Sequence, residues 1–108
     1  MDDRIARFDR LLSSPLNTDY WADEGIGIAA RLSAEFDATD WRELVALTGN
    51  RDAAWLCRCA ESLGDEACEA AVNVLQILRR KADQAVANAA LESLHSLGRS
   101  GADLREQE

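Results

Sequence analysis

A chain of 108 residues has the material for one hydrophobic core and not for two, so a single domain is expected. With 47% hydrophobic and 30% charged residues it is too apolar to stay disordered and too interrupted by charge to cross a membrane. Twelve Lys and Arg against twenty Asp and Glu leave a formal net charge of -8, a balance that repels nucleic-acid phosphates and anionic headgroups and sets both aside as partners. Nineteen Ala and fourteen Leu beside one Pro and six Gly then predict an all-α fold, because strong helix formers dominate and breakers are scarce.

Six helices follow in chain order. Ile5, Phe8, Leu11 and Leu12 share a face of a first helix that begins near Asp2 or Asp3 and has stopped by Pro15. Asn17, Thr18 or Asp19 caps a second, whose apolar stripe runs through Trp21, Ile28, Ala29, Leu32 and Phe36 despite Gly25 and Gly27. Thr39 or Asp40 opens a short third with Trp41, Leu44, Val45 and Leu47, closed by a left-handed Gly49. Asn50 or Asp52 caps the fourth, lined by Trp55, Leu56, Cys59 and Leu63 up to Gly64. Asp65 opens a fifth that runs to about Arg80, with Glu66, Glu69, Asn73, Gln76 and Arg80 on one polar row and the basic Arg79, Arg80 and Lys81 set against its dipole. Asp83 caps the sixth, with Val86, Ala90, Leu91, Leu94 and Leu97 inward and Gly98 as its stop. Residues 1–98 are thus read as one domain and 99–108 as a flexible tail.

The chain offers little for catalysis. Cys57, Cys59 and Cys68 are an odd set, and side chains two apart on a helix diverge by roughly 160°, so neither a disulfide framework nor a zinc site is expected. His95 has no second imidazole beside it and no cysteine to activate, and reads as a solvent-facing helix residue. Glycine-rich phosphate loops, Gly-x-Ser-x-Gly elbows and His-Glu-x-x-His runs do not occur. No cofactor, metal or catalytic residue is assigned. The acidic start, Met1-Asp2-Asp3-Arg4, differs from a secretory leader, and a cytoplasmic location is expected.

Laid against itself at a shift of 31, the run Asp52 to Leu63 matches Asp83 to Leu94 at five of twelve positions. The same shift sets Leu44 on Leu75 and Leu47 on Leu78, and more weakly Ala29 on Ala60 and Leu32 on Leu63, which gives three helix pairs. A capping aspartate, a β-branched or aromatic residue three later, then a small residue and leucine resembles the second helix of HEAT-like repeats, over residues 17–98. The resemblance implies a short α-α superhelix of three antiparallel pairs, with the second helices on the concave face. An irregular six-helix bundle is the alternative. Some HEAT-like families are enzymes that use His-Glu pairs or a basic trough, and this chain has neither.

In that arrangement residues one period apart stack into rows: Asp23 with Ala54 and Ala85, Ile26 with Cys57 and Asn88, Gly27 with Arg58 and Ala89, Ala30 with Glu61 and Glu92. The small residues allow close approach, and Ile26, Arg58, Glu61, Asn88 and Glu92 are the candidate groove contacts. Between residues 17 and 43, seven acids face two bases. Asp19, Asp23 and Glu24 are therefore candidate steering charges, and Tyr20, which lies off the apolar stripe, is the candidate anchor. Trp21, Trp41 and Trp55 fall on apolar faces and are expected in the core.

In size, acidity and lack of catalytic groups the chain is similar to the small acidic immunity proteins of bacteria, which bind toxins that are often basic nucleases. That resemblance implies a protein-binding inhibitor that masks a basic toxin domain. A scaffold or adaptor, including a homodimer formed through the open end of the array, is the second reading. An enzyme is the third.

Overall fold

The computed structural model describes residues 4–15, 17–64 and 68–101, with side chains through residue 97, and all regular structure among these residues is helical. Helix α1 is Arg4–Ser13. Helix α2 runs without a break over 18–33 in three stretches: an α-helical turn Thr18–Tyr20, a π-helical turn Trp21–Gly25 and an α-helix Ile26–Ser33. Then come α3 (Ala38–Leu47), α4 (Ala53–Ser62), α5 (Glu69–Leu78) and α6 (Gln84–Gly101).

The packing places α4 between α2 and α6, with the α4–α6 contact the most extensive between helices among the described residues. Helix α3 packs on α1 and α5, α1 also touches α2 and α4, and α5 leans on α6 and α4. Even-numbered helices therefore adjoin in chain order, and so do odd-numbered ones. The central position of α4 explains its burial on two sides, through Trp55 and Cys59 on one and Leu56, Ala60 and Leu63 on the other. Helix α6 lies at an edge and, among the described side chains, buries Val86, Ala90, Ser93 and Leu97. Leu91, expected inward, is 37% exposed. It stands one repeat after Ala60, which is fully buried and whose carbonyl accepts from Ser93 Oγ of α6 at 2.7 Å.

Local punctuation departs from the expected pattern at several points, each for a physical reason. Asp37 caps α3, while Asp40 is the third helical residue. Each carboxylate accepts from the other's backbone N–H at 2.9 and 3.0 Å, and Arg4 of α1 pairs with Asp40 at 3.2 Å. Helix α3 ends through two tight turns, Gly49 N–H to the Ala46 carbonyl and Asn50 N–H to the Leu47 carbonyl, and Gly49 has no positive φ. Lys81 Nζ reaches across from the end of α5 to the Thr48 carbonyl at 3.0 Å, so it serves the C-terminus of α3. Helix α5 begins after an extended Cys68, and Asp65 and Glu66 lie outside the described residues. Its polar row is exposed at Glu69, Asn73 and Arg80 and half-buried at Gln76. Helix α6 continues through Gly98 to Gly101, at a local cost of about 1 kcal/mol for a glycine in a helix. Residues 102–108 of the expected tail lie outside the described residues. Phe36 comes after the end of α2, half-buried, with its ring edge-on to Phe8 at 5.3 Å and to Trp41 at 5.1 Å.

The caps also measure the repeat. Asp52 caps α4 by accepting from Trp55 N–H, and Asp83 caps α6 by accepting from the N–H groups of Ala85 and Val86. These caps are 31 residues apart, whereas Asn17, the cap of α2, precedes Asp52 by 35. Helix α2 therefore starts four residues ahead of where a uniform shift of 31 would set its cap.

Candidate functional site

The site begins with a tryptophan that crosses from one helix to another. Trp21, only 5% exposed, donates its indole Nε1–H to Glu61 Oε1 of α4 at 2.6 Å. The Arg58 guanidinium lies over the same ring at 5.1 Å, within cation–π range. Arg58 Nη1 also donates to the carbonyls of Leu12 and Ser14 at 3.2 and 2.9 Å, and so holds the end of α1. On its own helix Trp21 rests on Gly25, where an added Cβ would lie 2.4 Å from indole Cε3. One side chain thus ties α2 to α4 and, through Arg58, to α1.

The clamp fixes the outer surface of α2. Asp19, Tyr20, Asp23 and Glu24 are exposed, Tyr20 at 43%, and Ile26 is half-buried. The π turn closes by the Ile26 N–H donating to the Trp21 carbonyl, which puts more than four residues in that turn. Residues four apart on a helix are neighbours on one face, as are Asp19 with Asp23 and Tyr20 with Glu24. Among the described residues, none of these four side chains makes a hydrogen bond or ion pair, so their charge is presented outward.

Other expected contacts fall elsewhere. Arg58 and Glu61 come together with Trp21 but are engaged inside the chain. Asn88 and Glu92 are exposed on α6, on the far side of α4 from α2, and Asn88 Oδ1 accepts from Gln84 Nε2 at 3.1 Å. The small residues of the expected rows, Gly27, Ala54 and Ala85, are exposed, and Ala30 and Ala89 are half-buried. Gly25 was not among the expected site residues, although a glycine four after a tryptophan was a readable sign of a ring lying on backbone.

A second tie repeats the chemistry of the first. Trp55 Nε1–H and Arg51 Nε both donate to Asp9 Oδ1 at 3.0 Å, and Arg51 Nη2 donates to Asp9 Oδ2 at 2.7 Å. The Arg51 hydrogen bonds and charge, with the Trp55 donor, hold the Asp9 carboxyl below its ordinary range against the opposing effect of burial. A cleft of ≈ 480 Å³ opens beside this tie, lined by Ser13, Ser14, Asn50, Asp52, Ala54 and Arg58 among others. A shallower apolar groove of ≈ 380 Å³ lies between α1 and α3 along Ile5, Ala6, Ala46 and Leu47.

Among the described residues no cluster of three His, Cys, Asp or Glu could hold a metal ion. Burial pushes the thiols of Cys57 and Cys59 up, with the negative charges of Glu61 and Asp83 adding to the effect at Cys57, so both stay in the un-nucleophilic form. No described helix is long and apolar enough to cross a membrane. No family model, curated protein or solved structure matches this chain.

Proposed function

We propose that the chain is a protein-binding module of three HEAT-like helix pairs, acting as an immunity-type inhibitor that covers the basic rim of a toxin domain such as a nuclease. The observation that carries this reading is the ridge of Asp19, Tyr20, Asp23 and Glu24, exposed, unpaired among the described residues and held on a clamped helix. Its carboxylates steer a basic surface toward it, and a rigid tyrosine supplies apolar contact at low entropic cost. Inhibition is by occlusion and assigns no catalytic group, metal or cofactor to the chain. The test is capture of a basic toxin domain from the native host, with suppression of its toxicity on co-expression. Failure to rescue cells from a genuine neighbouring toxin overturns the reading.

A second reading, self-association, is favoured by Leu91. One repeat earlier Ala60 is fully buried, whereas on the last helix Leu91 is left 37% exposed. Size-exclusion chromatography separates the readings: a stable dimer that Leu91→Glu dissociates supports an adaptor built from two copies, and a monomer at all concentrations removes it.

A further inference from the structure

The segment from Asn17 to Ile26 can be written in two helical registers. In the observed one Asn17 caps, its side chain accepting from Tyr20 N–H at 2.7 Å; Trp21 fills the slot against α4; and the π turn absorbs one residue more than an α turn would before Ile26. If that residue leaves the turn, the α-helix Ile26–Ser33 extends straight back. Ala22, four residues before Ile26, then takes the slot, Trp21 takes the outward place of Tyr20, and Thr18 takes the capping place of Asn17.

The sequence supplies what the second register needs. Thr18 is a capping residue three before Trp21, as Asn17 is three before Tyr20. Ala22 is small, apolar and exposed in the observed register, so it can enter the slot without a buried polar cost. The π turn is the less favoured form of helix on its own. What favours it here is the indole: buried, bonded to Glu61, covered by Arg58 and fitted over a residue that has no Cβ.

We propose that residues 17–26 form a two-state register switch, in which the Trp21 clamp holds the π register and its release slides the start of α2 by one residue into the α register. The slip turns Asp19 and Tyr20 by about 100° around the helix axis. It therefore re-aims Asp19 and Tyr20 relative to the rest of the molecule, so that they stand in one place in one state and in another in the other. A partner that grips Asp19 and Tyr20 as they now stand favours the π register by its differential affinity for that state. The switch goes beyond the binding reading and is tested on the free chain, so either can fail alone.

The test moves the tryptophan one residue along, in the double variant Trp21→Ala, Ala22→Trp, and follows it by NMR. The expected result is a folded chain in which the displaced indole N–H resonance still shifts when Glu61→Ala is added. The capped amide moves from position 20 to position 21, with Thr18 as the cap, and the i to i+5 pattern before Ile26 gives way to i to i+4. Trp21→Ala alone is expected to show the same move of the cap at a lower unfolding midpoint, and the double variant decides if that single variant fails to fold. A double variant that keeps the Asn17 cap and the π turn, that leaves its indole free of Glu61, or that does not fold overturns the proposal.

Discussion

Two glycines two residues apart on α2 have opposite consequences. Gly25 lies under the Trp21 ring, with indole Cε3 2.4 Å from where a Cβ would be, while at Gly27 an added Cβ would meet nothing nearer than Arg31 Nη1 at 3.9 Å. Both sit in helical backbone, so the difference is steric and not conformational. Gly25→Ala must displace the indole or bend the helix, and is expected to cost about 1–3 kcal/mol as overpacking. Gly27→Ala gains helix propensity in open space and is expected to stabilise by about 0.5–1 kcal/mol. Urea unfolding midpoints compare the two directly, and equal signs would refute the steric account. In the sequence both glycines read alike, as breakers that blur the start of the helix, because what separates them is a ring lying across one of them.

The ties between elements were harder to read from sequence than the elements. Caps at Asp52 and Asp83 were legible, since a carboxylate before an apolar run satisfies the free N–H groups wherever the helix later packs. The cap of α3 was not: Thr39 or Asp40 reads as its opening, whereas Asp37 caps it, and Arg4 of α1 pairs with both aspartates, at 3.6 and 3.2 Å. The α1–α4 tie was equally hidden: Asp9 is 42 residues from Arg51 and 46 from Trp55, and the three look like two surface charges and a core ring. Its pH dependence follows from its geometry. The folded carboxyl of Asp9 titrates below its ordinary 3.8 because Arg51 and Trp55 donate to its charged form. The stability it confers is therefore complete above that ordinary value and is lost as pH falls through the folded one. The expected result is that Asp9→Asn unfolds at lower urea than the parent near neutral pH, and that the gap narrows as pH falls below about 4. A gap that stays constant to pH 2 would show that the carboxylate charge is not what joins the helices.

At the scale of the molecule the net charge of -8 is larger than the internal pairs can offset. The ion pairs of Asp9 with Arg51 at 2.7 Å and Asp40 with Arg4 at 3.2 Å gain from low salt, while the acidic excess repels itself most strongly there. Partly exposed pairs contribute little, so repulsion is expected to win and the parent to be more stable at about 0.5 M NaCl than at about 0.01 M. Three of the responsible charges, on Asp19, Asp23 and Glu24, make no hydrogen bond or ion pair among the described residues. Replacing all three with Lys brings the formal charge to -2, leaves each helix cap and buried contact intact, and is expected to change stability at moderate salt by less than about 0.5 kcal/mol. The variant should also show a flatter dependence of its urea midpoint on salt. If the ridge is the docking face, the same variant loses the salt-sensitive part of binding to a basic partner while remaining folded, so weakened binding cannot be assigned to unfolding. A parent midpoint that falls as salt is added would reverse the balance: the internal pairs would then outweigh the acidic excess, and the ridge could not be treated as charge the fold tolerates for the sake of a partner.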